Sequence, residues 1–153
     1  MNPVVGIVIG SETDRELIAP AGQVLDDFMV PYELSVLSAH RSAERVRAYA
    51  LAAEQRGVQV LIAAAGYAAH LPGTLAAWSM LPIIGIPLPT SDLNGLDSLL
   101  SIAQMPGGVP VACVGIGRGG AKNAALAAIQ ILALHDDRLR AAYRAYREKL
   151  AGQ

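Results

Sequence analysis

At 153 residues, 53% of them hydrophobic and only 16% charged, the chain has the length of one domain and enough apolar side chain to fill a core. A formal net charge of −1 provides neither a basic face to follow a nucleic-acid backbone nor a polybasic cluster to hold an anionic membrane, so neither partner is expected. The first ten residues, MNPVVGIVIG, carry no basic leader and their apolar run is broken at Gly6 and Gly10, which argues against a signal peptide or membrane span and for a cytoplasmic protein.

In chain order, apolar runs of strand length fall at 4–10 (VVGIVIG), 32–37 (YELSVL), 58–64 (VQVLIAA), 82–88 (PIIGIPL) and 109–116 (VPVACVGI). Helical spacing fills the intervals at about 14–29, 42–56, 69–80, 94–104 and 119–134, and again at 137–150. Apolar strands alternating with helices predict one α/β domain over 1–153, with a central parallel sheet covered on both faces. Pro20 has no amide N–H, so the first helix is expected to be irregular or kinked early. The last two helices meet at His135-Asp136 without a strand between them. Asp136 or Asp137 suits the N-cap there, and His135 suits the C-terminal end of the preceding helix. Leu139, Tyr143, Tyr146 and Leu150 share one face of the terminal helix, a candidate subunit contact, and the alanine-rich helices point to more than a monomer. Cys113, inside an apolar run, reads as an inert buried thiol.

Open parallel sheets meet ligands at the carboxyl ends of their strands, so the residues that follow each strand are the candidates. Here they are GSETD (10–14), SAHR (38–41), AGYAAHLPG (65–73), PLPTSDLNG (87–95) and GIGRGGAKN (115–123). GSETD supports two readings. It can be a plain helix start, with Ser11 or Thr13 as N-cap and Asp14 set against the helix dipole. It can equally be a sugar-phosphate site in which Ser11 and Thr13 donate to phosphate and Asp14 accepts from ribose hydroxyls. GIGRGG matches G-x-G-x-x-G, but the second βα unit with its acid is missing, so a dinucleotide site is not expected; its glycines would let backbone approach a neighbouring loop or a small ligand. His70 is either a structural histidine or a site-lining one. In SAHR, the imidazole of His40 belongs to the side-chain type that can both give and take a proton near neutral pH, and the planar cation of Arg41 suits phosphate. The tetrapeptide alone would also pass as a helix start with a solvated arginine. Its place beside GSETD, on what should be a neighbouring strand, favours function. Metal-ligand spacing and a Gly-Lys-Ser/Thr phosphate loop are both missing from the sequence, so neither a metal nor ATP is indicated.

Taken together, GSETD, VLSAHRSAERV, AAGYAAHLPGTLAA, SDLNGLDSLLSIAQMPGGVPVACVGIG and AKNAALAAIQILA resemble the PurE family, the N5-carboxyaminoimidazole ribonucleotide mutases of purine biosynthesis, over about residues 4–134. LDSLLSIAQMP followed by GGVPV looks like the mutase branch rather than the branch that carboxylates aminoimidazole ribonucleotide directly with CO2. The resemblance implies a flavodoxin-like three-layer α/β/α domain and an isomerase of IMP biosynthesis that needs no metal or organic cofactor. It also implies a small ribonucleotide substrate and a homo-octamer with sites at subunit interfaces. By motif, His40 matches the general acid/base, and Ser11, Asp14 and Arg41 match substrate-binding positions, with Thr13 and Ser38 near the phosphate. Gly66 and His70 fall in the loop that lines the substrate. The chain departs from the family pattern where GAGGAAHLPG is usual: Ala64 and Tyr67 stand in place of glycines, and Thr13 replaces the second serine of GSxSD. A positive φ at Tyr67 would be costly for a residue with a side chain. That tyrosine could narrow the pocket, point away from it or mark a paralogue with another ribonucleotide substrate. The direct carboxylase and a non-catalytic nucleotide-binding paralogue are the competing readings.

Overall fold

Runs of Val, Ile and Ala with a period of two supply two separate cores, one on each side of a sheet. The computed structural model describes residues 2–152. β1 (Val5–Ile9) sends Val5, Ile7 and Ile9 to one core and Val8 to the other. β3 (Val60–Ala65) likewise separates Val60, Ile62 and Ala64 from Leu61, Ala63 and Ala65. With β4 (Ile83–Pro87) these strands are buried throughout, whereas β2 (Tyr32–Val36) and β5 (Ala112–Cys113) form the edges. All pairings are parallel, in the order β2-β1-β3-β4-β5, and β1 is registered from Val5 opposite Tyr32 and Val60 to Ile9 opposite Val36 and Ala64.

Helices α1 (Arg15–Asp27), α5 (Gly117–Leu132) and α6 (Asp137–Ala151) cover the first face. Ala121, Ala124, Ala125 and Ala128 of α5 are fully buried, and their small side chains let α5 lie close to Ile18, Ala21 and Leu25 of α1. On the second face, α2 (Ala43–Ala53), α3 (Leu71–Trp78) and α4 (Leu96–Ala103) contribute Val46, Ala50, Leu71, Leu75 and Ile102. The result is the three-layer α/β/α sandwich with the flavodoxin-like strand order. Each fully buried Ile or Leu contributes about 1.5–3 kcal/mol from its removal from water. Among the described residues no helix is long and apolar enough to cross a membrane.

Several local expectations are revised. β2 is half-buried because it is an edge strand. Burial pushes the carboxyl of its Glu33 up, but hydrogen bonds from Tyr49 Oη (2.7 Å) and Arg56 Nη2 (2.7 Å) outweigh it and leave the group below its ordinary value. The run 109–116 forms only a two-residue strand. Pro110 cannot donate to a ladder, and beyond the strand only the Val114 N–H continues the pairing, to Gly85 O at 3.0 Å. Cys113 is consequently half-buried, with desolvation pushing its thiol up. At the far end of α5, Arg140 donates to Ala133 O (3.1 Å) and Leu134 O (3.0 Å), so an arginine holds the carbonyls that His135 was expected to serve. Asp136 caps α6 through the Leu139 N–H at 3.0 Å. Leu139, Tyr143 and Tyr146 pack on their own chain around Phe28, while Leu150 stays exposed.

The last revision concerns Pro20. Helix α1 runs unbroken through it, after a single 3-10 turn at Glu12–Asp14. The missing amide leaves the Glu16 carbonyl without its partner four residues on. Arg118 Nη1, at the start of α5, donates to that carbonyl at 2.7 Å and ties the two helices together. In the same GIGRGG motif, Gly120 packs on the Gly115 carbonyl so closely that a Cβ would stand 1.6 Å from the oxygen, so here glycine serves the motif's own folding.

Candidate active site

From β1 the chain goes outward to β2 and then returns across β1 to β3, so the loops that leave β1 and β3 part from each other at this switch point. Between them opens a cleft of about 640 Å³. It is lined by Ser11, Thr13 and Asp14 after β1, by Ser38, His40 and Arg41 after β2, and by Gly66 and His70 after β3. Every residue singled out from the sequence as a site residue is therefore on one cleft. Thr90, after β4, also lines it and was missed, because one threonine in a polar loop carries no motif. The rest of the wall is Gly10, Tyr67 and an apolar stretch of Ala39, Ala65, Ala68, Ala69 and Leu71.

The first turn is closed by its own side chains. Ser11 is extended (φ −147°), accepts from the Thr13 N–H at 3.4 Å and gives its own N–H to Asp14 Oδ2 at 3.2 Å, a capping box. The Ser11 and Thr13 hydroxyls lie 2.9 Å apart, so GSETD is a helix cap whose hydroxyls also line the cleft. Burial pushes the Asp14 carboxyl above its ordinary value, against the Ser11 N–H and the charge of Arg41.

The second loop reaches back to the first. Arg41 donates its backbone N–H to Ser38 Oγ at 3.1 Å, its Nε to the same oxygen at 3.3 Å, and Nη2 to Gly10 O at 3.0 Å. Ser42 braces the turn, accepting from the Ser38 N–H at 3.0 Å and donating to Ser38 O at 3.1 Å. The cation of Arg41 is thus tied to the first turn through Gly10 O, and a guanidinium near hydroxyls on one cleft suits an oxyanion.

In the third loop, His70 Nδ1 is hydrogen-bonded to His40 Nε2, with the rings edge-on at 4.6 Å between centroids and 82° between planes. One nitrogen donates and the other accepts, so the two imidazoles orient each other. Gly66 is required by space, since a Cβ there would stand 1.8 Å from Thr90 Oγ1. Tyr67 (φ 54°) and Ala69 (φ 44°) are left-handed, a strain of about 1 kcal/mol each. Ser101 Oγ, on α4, donates to the Ala68 carbonyl between them. Among the described residues no three His, Cys, Asp or Glu side chains cluster as a metal site would need.

A hydrogen-bonded pair of imidazoles next to a cationic corner, at the switch point of a parallel sheet, suits a flavodoxin-like α/β enzyme acting on a small anionic ligand. The sequence model of the AIR carboxylase family matches residues 4–153, and the chain belongs to that family. It is 54% identical over 148 residues to the N5-carboxyaminoimidazole ribonucleotide mutase of Pyrococcus abyssi, a match covering 97% of this chain and 84% of that one. It is 54% identical over 139 residues to the protein of the same name from Bacillus subtilis, covering 91% and 86%. The crystal structure of Treponema denticola PurE aligns with a TM-score of 0.86 at 29% identity, covering 98% of this chain and 92% of that one.

Proposed function

We infer that this chain is an N5-carboxyaminoimidazole ribonucleotide mutase, moving a carboxylate from the exocyclic nitrogen of an imidazole ribonucleotide to ring carbon C4 in purine biosynthesis. The observation that carries the reading is the meeting of the His40–His70 pair with the Arg41 corner in one cleft with an alanine wall. The substrate phosphate sits against Arg41, Ser38 and the Ser11 and Thr13 hydroxyls, and the Asp14 carboxylate accepts from the ribose. Gly66 lets the loop backbone lie close to the imidazole, which faces His40. In the first step the N–C bond of the carbamate breaks, CO2 leaves, and the electron pair left on nitrogen takes a proton from His40. The C4 electron pair then attacks CO2. His40, now neutral, removes the C4 proton and the ring regains its aromaticity. No proton is gained or lost over the cycle, as an isomerisation demands. His70 keeps the ring of His40 in position through both transfers, and the apolar wall holds CO2 away from water.

We place the enzyme in the cytoplasm as a homo-octamer with sites completed at subunit interfaces. Supporting an assembly, Leu93, Leu96 and Leu100 stand exposed along α4 and the turn before it, and Leu150 is exposed on α6. The test of function offers the purified protein the N-carboxylated ribonucleotide and, separately, the unsubstituted ribonucleotide with bicarbonate, and follows the C4-carboxylated product. Product from the first alone is the expected result. Efficient conversion of the second alone would make the protein a direct carboxylase, and tight binding without turnover would make it a nucleotide-binding protein.

A further inference from the structure

The third loop of the cleft carries a strain that packing only partly offsets. Ala69 is 4% exposed and its methyl belongs to the second core, so burial compensates its left-handed backbone. Within its own chain Tyr67 is 63% exposed and gains no such burial, although a glycine would take φ 54° freely. The backbone is not free to relax around it. Gly66 is wedged against Thr90, the Ala69 N–H donates to Gly66 O at 2.9 Å, and Ser101 holds the Ala68 carbonyl. Tyr67 is therefore fixed on the cleft lining, between Gly66 and the segment that leads into His70.

Strain in an exposed residue on a binding cleft points to work on a ligand. We propose that Tyr67 is a specificity-determining residue, an aromatic cap whose ring lies against the flat heteroaromatic ring of the bound ribonucleotide while the phosphate is held at the opposite corner. The proposal rests on the mutase reading for the identity of that ligand. A phenol ring suits such a cap, because its face stacks on a planar heterocycle and its two side-chain torsions lose little freedom in doing so.

The test compares two ligands by calorimetric titration, 5-aminoimidazole ribonucleotide and ribose 5-phosphate, the second of which has an anomeric hydroxyl in place of the ring. Tyr67→Gly should weaken the ribonucleotide by about five- to tenfold and leave ribose 5-phosphate unchanged. It should also raise Tm, because the backbone strain is relieved, which separates the cap from a merely structural role. Tyr67→Phe should bind both ligands as the wild type does, since the ring and not the hydroxyl acts. In turnover, Tyr67→Gly should raise KM more than it lowers kcat. Equal affinities of wild type and Tyr67→Gly for the ribonucleotide would overturn the proposal, as would a matching loss for ribose 5-phosphate. A wild-type protein that binds both ligands but turns over no N-carboxylated ribonucleotide would refute the mutase reading, and the two-ligand comparison would still decide for or against the cap.

Discussion

Across the cleft, the turn Gly10–Asp14 and the loop Gly66–His70 face each other and are held by different means. The turn closes on its neighbours: Ser11, Thr13 and Asp14 bond within four residues, in ordinary backbone conformations, at the start of a helix. The loop has two left-handed residues and draws its supports from Thr90 and Ser101, well away in the chain. A turn closed by its own bonds keeps its shape whatever surrounds it, which suits the phosphate seat proposed for it. A loop strained and braced from afar can be altered brace by brace without unmaking that seat.

The largest test of this division is His40→Asn, which removes the imidazole proposed to carry the proton. Turnover should fall by about 10²–10⁴-fold, with ribonucleotide affinity and Tm near those of the wild type. Residual activity close to wild type would remove His40 from the chemistry. Next is Arg41→Ala. It deletes the guanidinium hydrogen bonds to Ser38 Oγ and to Gly10 O, the second of which joins this loop to the first turn. KM for the phosphorylated substrate should rise by about 10–100-fold with a smaller change in kcat. An unchanged KM would mean that the seat works without its cation.

Ser101→Ala should cost about 1 kcal/mol of stability by freeing the Ala68 carbonyl, and should speed amide exchange in 66–70 while leaving 10–14 protected. Faster exchange in both segments would show that the two regions are not independently held. The smallest effect belongs to Asp14→Asn. Because burial raises the folded-state pKa of Asp14, the wild type loses stability as pH rises from the ordinary value of 3.8 through that raised value. The variant should therefore have a slightly higher Tm at neutral pH, a gain that shrinks on acidification and is gone below 3.8, where Asp14 is protonated in both states. It should also bind the ribonucleotide more weakly. A lower Tm at neutral pH would show that the capping charge outweighs its burial.

Much of this was legible because the strand rule is local: five apolar runs named the five strands, and the residues after them contained every candidate on the cleft. What escaped depends on partners distant in sequence. That YELSVL lies at an edge, half-buried, follows from strand order and not from its own composition. Arg140 outreaches His135 for the same carbonyls because its long forked side chain returns from the next helix. The hazard of a positive φ at Tyr67 could be stated in advance. That the backbone adopts it, beside a Gly66 wedged against Thr90, could not be read from AGYAAHLPG alone.

Pro20 and Arg118 lie on different helices, nearly a hundred positions apart, and bear on one carbonyl. Their relation makes the two positions energetically coupled rather than independent. With an amide restored at position 20 the carbonyl has a partner within its own helix, so losing the guanidinium at 118 should matter less in that background than in this chain.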